Sequence, residues 1–232
     1  MSAAARPSKG GAVNGMEPRE RRTTVTPSLG EGGGGKAVQL ERADFDLIAG
    51  WVQPGETVLD LGCGDGALLR RLIDERGAKG YGVELEDAAV LAAIGNGINV
   101  IQGDLERGLA GFDDATFDHV VLSRTLQTVR HTEGILREML RVGREAVVSF
   151  PNFAYWKNRM AVMGGRMPVS EDLPYEWFDT PNLRFFTILD FESLCAKIGL
   201  VIRERQVLDE AGRLVTEEQN FLGSLAVYRL GR

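Results

Sequence analysis

Cysteine and histidine are almost missing from this chain, with two of each in 232 residues. Cys63 and Cys195 are too few for a disulfide scaffold, and their spacing matches no metal site. Two histidines exclude a histidine-rich metal centre on count alone. No apolar run approaches the ~18 residues that span a bilayer, so no membrane association is expected. The first residues lack the apolar stretch of a secretory signal. Together these absences predict a cytoplasmic protein. Basic charge is also short: the net charge is −6. Residues 1–36 hold six basic side chains against three acidic ones, which leaves the remainder more negative than the whole. An acidic body repels a phosphate backbone, so nucleic acid is set aside as a ligand.

Large apolar side chains are scarce before Val38. Residues 1–36 are rich in Gly, Ala, Ser, Pro and Arg, and cannot bury enough surface to offset the entropy of ordering. They are expected to form a disordered tail that ends in the flexible run Gly32–Gly35. Residues 37–232 then form one domain, of a size that supports a single core.

Within that domain the sequence alternates. Residues 40–50 read as a helix, and Pro54-Gly55 as a turn. Short apolar strands are expected at Thr57–Leu61, Gly80–Glu84, Asn99–Gln102, Phe117–Leu122 and Ala146–Phe150. Helices are expected at Ala67–Arg76, Ala88–Ile94 and Ile135–Val142, from the spacing of their apolar residues. Strand and helix in this rhythm predict a parallel sheet covered on both faces. The last third breaks the rhythm. Phe153–Met163 reads as a helix stopped by Gly164-Gly165, and residues 166–186 as a long loop with three prolines. Thr187 and Asp190 form the signature of a capping box that opens a helix to Lys197. Leu200–Leu208 and Leu222–Tyr228 read as two late strands, joined as a hairpin.

The string Asp60-Leu61-Gly62-Cys63-Gly64-Asp65-Gly66 lies between the first strand and its helix. In open α/β sheets that turn is where ligands bind, and its glycines let a ligand approach the backbone. Gly62-x-Gly64-x-x-Ala67 also fits a dinucleotide fingerprint, so the glycines alone leave NAD and S-adenosylmethionine both open. The charges separate them. A pyrophosphate needs bare amides and a positive helix end, which Asp60 and Asp65 oppose. A sulfonium beside a free ammonium group is drawn to carboxylates. Glu84, closing the second strand, is placed to bind ribose hydroxyls. Asp104, after the third strand, is placed to accept from the adenine amine, with the Leu105 amide against the ring.

These strings, with G-V-E (82–84), Q-G-D-L (102–105) and F-D-H-V-V-L-S (117–123), resemble the class I S-adenosylmethionine-dependent methyltransferase family. The resemblance implies a Rossmann-like, seven-stranded mostly parallel sheet in the order 3-2-1-4-5-7-6, with helices on both faces. It implies S-adenosylmethionine or S-adenosylhomocysteine as ligand, held by Asp60, Gly62, Cys63, Gly64, Glu84, Asp104, Leu105 and Ser123. No catalytic residue is assigned. The segment after the fourth strand, Ser123 to His131, has no Asn-Pro-Pro-Tyr type motif. His131 is expected at a helix start, His119 is expected to be packed within its strand, and Cys63 has no visible histidine partner to activate it.

After the fifth strand, aromatic residues gather beside arginines. Tyr155, Trp156, Arg159, Arg166, Tyr175, Trp177 and Phe178 are residue types enriched at protein interfaces, on a long proline-stiffened segment. They are read as a partner surface. The strings S-F-P-N-F-A-Y-W (149–156), G-G-R-M-P-V (164–169), L-P-Y-E-W-F-D-T-P-N (173–182) and D-F-E-S-L-C (190–195) are similar to the MetW family of methionine biosynthesis proteins. That family is encoded beside a homoserine O-acyltransferase. The resemblance implies an accessory role that binds S-adenosylmethionine and supports that acyltransferase. A small-molecule methyltransferase is the alternative, and neither an acceptor nor a catalytic base is evident in the sequence.

Overall fold

The computed structural model describes residues 42–232. The tail expected over 1–36, and the start of the helix expected over 40–50, lie outside the described residues.

The described elements run α1 (Ala43–Trp51), β1 (Thr57–Leu61), α2 (Ala67–Arg76), β2 (Lys79–Glu84), α3 (Asp87–Gly95), β3 (Val100–Gln102), β4 (Phe117–Ser123), α4 (Thr132–Val142), β5 (Gly143–Pro151), α5 (Trp156–Met163), α6 (Ile188–Ile198), β6 (Val201–Leu208), α7 (Gln219–Leu222) and β7 (Leu225–Gly231). The strands form one seven-stranded sheet in the order β3-β2-β1-β4-β5-β7-β6. The first five are parallel; β7 pairs antiparallel with both β5 and β6. This is the expected Rossmann-like class I methyltransferase architecture.

Alternating side chains divide the core between the two faces of the sheet. Leu61, Leu122, Val148, Phe150 and Tyr228 pack on one face with α4 and α6, where Phe150 and Tyr228 stack at 5.7 Å. Val58, Val121, Val147 and Val227 pack on the other with α1 and α2. The same period of two puts Asp60, Ser123 and Ser149 on the α1 face, at the carboxyl ends of their strands. That parity brings polar groups from three strands to one point beside α1.

The termini of the helices follow local chemistry. Gly77 and Gly199 adopt the left-handed conformation that closes α2 and α6. The capping box of α6 is present, with Thr187 accepting from the Asp190 amide and Asp190 accepting from the Thr187 amide. Two expectations shift. The helix expected from Phe153 begins at Trp156, because the buried Asn152 side chain accepts from the Ala154 amide and holds residues 153–155 in a turn. The last strand begins at Leu225 rather than Leu222, because the Phe221 and Leu222 amides turn back onto the Glu218 carbonyl and form α7. Among the described residues, no helix is long and apolar enough to cross a membrane.

Candidate functional site

The glycine loop leaves β1 and is stitched to the end of β2. The Gly62 and Cys63 amides both donate to the Val83 carbonyl, at 2.7 and 3.2 Å. The Gly64 amide donates to the Glu84 carboxylate at 2.9 Å. Gly62, Gly64 and Gly66 all hold positive φ, a region costly for side-chain-bearing residues. A Cβ at Gly64 would meet nothing within 4 Å, so this bend of the loop faces open space.

Two recesses meet at Gly62. The larger, about 470 Å³, is lined by Glu84, Asp104, Leu105, Thr125 and Val129, with Pro181 and Leu183 of the long loop at its edge. The smaller, about 90 Å³, is lined by Arg42, Asp60, the Cys63-Gly64 stretch and Ser123. The structure thus brings all eight residues singled out for ligand binding around one loop.

Their chemistry differs. Asp60 is 2% exposed, and its carboxylate has no hydrogen-bond partner among the described residues. Burial pushes its pKa up to about 7; the Arg42 charge works against that rise, while Glu84 and Asp44 add to it. Glu84 accepts from the amides of Gly64, Leu85 and Glu86, which pins both oxygens at the recess wall and leaves lone pairs for further donors. Asp104 caps the short 3-10 turn Leu105–Arg107 with one oxygen, at 2.9 Å from the Glu106 amide. The Leu105 amide has no acceptor among the described residues.

Cys63 turns its side chain away from the recess and into the core against Gly82. Burial pushes its thiol up to about 12, so only its backbone faces the site. The Ser123 hydroxyl is already committed. It donates to Asp44 at 2.8 Å and accepts from Arg42 at 3.0 Å. His119 is buried and bonded to Glu56 at 2.9 Å, while His131 stands exposed at the start of α4 with Nδ1 2.6 Å from Glu106.

A sequence model of the family described as methionine biosynthesis protein MetW matches residues 42–230, nearly all of the described chain. The chain belongs to the MetW family. It is 42% identical over 176 residues to the bifunctional methionine biosynthesis protein MetXA/MetW of Rhodopirellula baltica. That match covers 72% of this chain but 28% of the relative, so the chain spans under a third of the relative's length. Among solved structures, it superposes on a methyltransferase of Archaeoglobus fulgidus with a TM-score of 0.63 and 15% identity, covering 84% of this chain and 94% of that one. A methyltransferase of Thermotoga maritima, described as a possible histamine N-methyltransferase, superposes with a TM-score of 0.60 and 20% identity, covering 83% and 91%. Both are S-adenosylmethionine-dependent enzymes by description, and at such identities they establish the fold of this MetW family member and nothing finer.

Sequence reasoning missed a polar network behind the loop. Asp44 of α1 is fully buried and accepts from the hydroxyls of Ser123 and Ser149, at 2.8 and 3.2 Å, and from Arg42 at 3.3 Å. The signal was available: Asp44 stands four residues before Ile48, on the buried stripe of α1. Arg42 itself lies over the Phe45 ring at 3.6 Å, with its guanidinium on Asp44 and Ser123. Arg124, just after β4, holds φ +50. Nothing in its sequence context announces that conformation.

The aromatic segment splits. Trp177 and Phe178 are 71% and 70% exposed and pack edge to face with each other at 5.7 Å. Tyr175, Arg166, Arg159 and, less fully, Trp156 are exposed as well. Tyr155 corrects the expectation of a surface residue. It is 5% exposed, and its hydroxyl donates to Glu210 at 3.2 Å, because residues 152–155 turn inward under α5.

Proposed function

We propose that this MetW family member binds S-adenosylmethionine at the glycine loop and acts as a partner and activator of homoserine O-acyltransferase. The observation that carries the ligand is Asp60, a carboxylate 2% exposed with no hydrogen-bond partner among the described residues, set beside an open glycine bend. An unpartnered buried charge is costly. A ligand carrying sulfonium and ammonium charge supplies what that carboxylate lacks. Glu84 would hold the ribose diol, Asp104 and the free Leu105 amide the adenine edge, and the Gly62 and Gly64 backbone the aminoacyl tail. When bound, the ligand supplies an activated methyl group. This chain's own residues bind and orient it, and none of the described ones is assigned as a base toward an acceptor.

The partner role draws on the family resemblance and on the Rhodopirellula relative, whose name joins MetXA and MetW in one bifunctional methionine biosynthesis protein. A fused pair has a high effective concentration of one part at the other, as expected of partners that work together. The exposed pair Trp177 and Phe178, with Trp156, Arg159, Arg166 and Tyr175 nearby in the chain, is the surface assigned to that contact. Tuning of acyl transfer by the ligand requires that the ligand change partner affinity or activity. A cytoplasmic location belongs to this reading, since two free, buried cysteines suit a reducing compartment.

The test is co-purification with a homoserine O-acyltransferase, with acyl transfer assayed in the presence and absence of this protein and with S-adenosylmethionine titrated in. A stable complex with raised or ligand-tuned activity is expected. No complex and no effect would reject the partner role, and release of S-adenosylhomocysteine with a defined acceptor would replace it with a methyltransferase.

A further inference from the structure

A third cleft, of about 350 Å³, opens on the far side of Arg42 from the glycine loop. Its walls come from Arg124 after β4, from Glu171 and Asp172 of the long loop, and from the turn after β6 that carries Asp209 and Glu210. None of the residues assigned to the methyl donor lines it.

The charges of this cleft are unevenly satisfied. Asp209 is held by Arg213 at 2.7 Å, and Glu210 is paired with Lys157. Arg124 is different. Its Nη1 lies 3.2 Å from Asp172 and its Nε 3.8 Å from Asp44, yet the guanidinium makes no hydrogen bond among the described residues, and Nε is buried without a partner. A guanidinium has five N–H donors in a planar fork suited to a carboxylate. Here none is spent on a hydrogen bond among the described residues, although Nη1 is ion-paired with Asp172. The backbone fixes the side chain in place: φ at Arg124 is +50, and its amide is bound by both the carbonyl and the hydroxyl of Ser149, at 2.9 and 3.1 Å. A non-glycine residue held in this region is a recurring mark of functional sites. Across the cleft, the Glu171 carboxylate has no hydrogen-bond or ion-pair partner among the described residues, and Asp172 beside it is 10% exposed at its side chain.

We propose that this cleft binds a small α-amino acid zwitterion, with the Arg124 guanidinium, steadied by its ion pair to Asp172, taking the carboxylate and Glu171 taking the ammonium group. A guanidinium held by ion pairs but by no hydrogen bond, and a Glu171 carboxylate without a partner among the described residues, face one cavity and match the two ends of such a ligand. The volume of about 350 Å³ admits a small amino acid. Arg42 lines both this cleft and the recess at Asp60, so the two ligands would sit side by side.

Titration calorimetry on the full chain tests this with three four- or three-carbon probes: L-2-aminobutyrate, butyrate and propylamine, each with and without saturating S-adenosylhomocysteine. L-2-aminobutyrate is expected to bind equally well in both conditions. Butyrate and propylamine, each lacking one charged group, should bind about tenfold or more weakly. Arg124→Gln and Glu171→Gln should each weaken L-2-aminobutyrate by a similar factor. Glu171 is exposed, so its variant folds even if the loss of Arg124 disturbs Asp44. No binding of L-2-aminobutyrate, or affinity unchanged in Glu171→Gln, overturns the proposal. Displacement by S-adenosylhomocysteine also overturns it, because the probe would then be reporting the donor's own aminoacyl end. Failure of S-adenosylhomocysteine to bind, with L-2-aminobutyrate still binding and sensitive to both variants, would reject the donor site and leave this one standing.

Discussion

The thiol of Cys63 lies against the backbone of Gly82, so closely that a Cβ at Gly82 would come within 2.3 Å of Sγ and 2.9 Å of the Cys63 Cβ. The glycine loop of β1 therefore rests directly on the middle of β2. Gly82→Ala is expected to push the loop outward. Overpacking of this kind costs about 1–3 kcal/mol, readable as a lower denaturation midpoint at an unchanged slope. Cys63→Ala in the same chain removes the nearer atom and should recover part of the loss. If Gly82→Ala unfolds at the same denaturant concentration as the parent, the loop does not rest on β2 as described.

Asp60 links stability to pH. Its ordinary value is 3.8 and burial raises it to about 7 in the folded state. Between those values the folded protein keeps a proton that the unfolded chain has released. Stability from this group therefore falls as pH rises from about 4 to about 7, by an amount on the order of a few kcal/mol. Asp60→Asn should remove that slope, and equilibrium denaturation of both proteins at pH 5 and pH 8 measures it.

The same titration governs the proposed ligand in the opposite direction. A cationic ligand prefers ionised Asp60, so affinity for S-adenosylmethionine should rise with pH up to about 7, by nearly tenfold per unit, and then level off. Asp60→Asn should bind weakly and without this dependence. Equal affinity of the parent at pH 6 and pH 8 would remove Asp60 from the site.

Glu84 serves two structures at once, since it accepts from the Gly64 amide of the loop and from the Leu85 and Glu86 amides of its own strand end. Glu84→Gln replaces one acceptor oxygen by a donor. Amide exchange at Gly64 should accelerate, and affinity for S-adenosylhomocysteine should fall by about tenfold or more, as for loss of a charged hydrogen bond. Free methionine, which has no ribose, should bind the variant as it binds the parent.

Trp177 and Phe178 stand out in solvent while Tyr155 is buried. Trp177→Ala and Phe178→Ala should leave thermal stability nearly unchanged, because exposed contacts contribute little to folding. Each should weaken the complex with the acyltransferase, by about 1–2 kcal/mol or more if the pair is a hot spot. Tyr155→Ala should do the reverse, lowering stability through a buried cavity. Sedimentation or pull-down beside a melting curve separates the two outcomes.

The sequence by itself determined the sheet, its helices and the place of the glycine loop. Period-two and period-3.6 apolar spacing is local information, and Asp60, Gly62, Glu84 and Asp104 fall at strand ends that the spacing already marks. The family was equally legible, in long strings such as residues 173–182. Only the tertiary structure decided what depends on contacts between distant segments. Asp44 and Ser149 meet Ser123 across more than twenty residues of chain in each case, because strand parity turns both serines toward α1, whose buried face carries Asp44. Cys63 faces Gly82, which no spacing rule foretells. Tyr155 points inward because Asn152 holds the turn before α5. Arg124 gained its role from a backbone angle that its residue type disfavours, stabilised by Ser149 on the neighbouring strand. Apolar periodicity states which face of an element is buried. Which polar groups then meet on that face is settled by strand order and register, and these exist only once the sheet has formed.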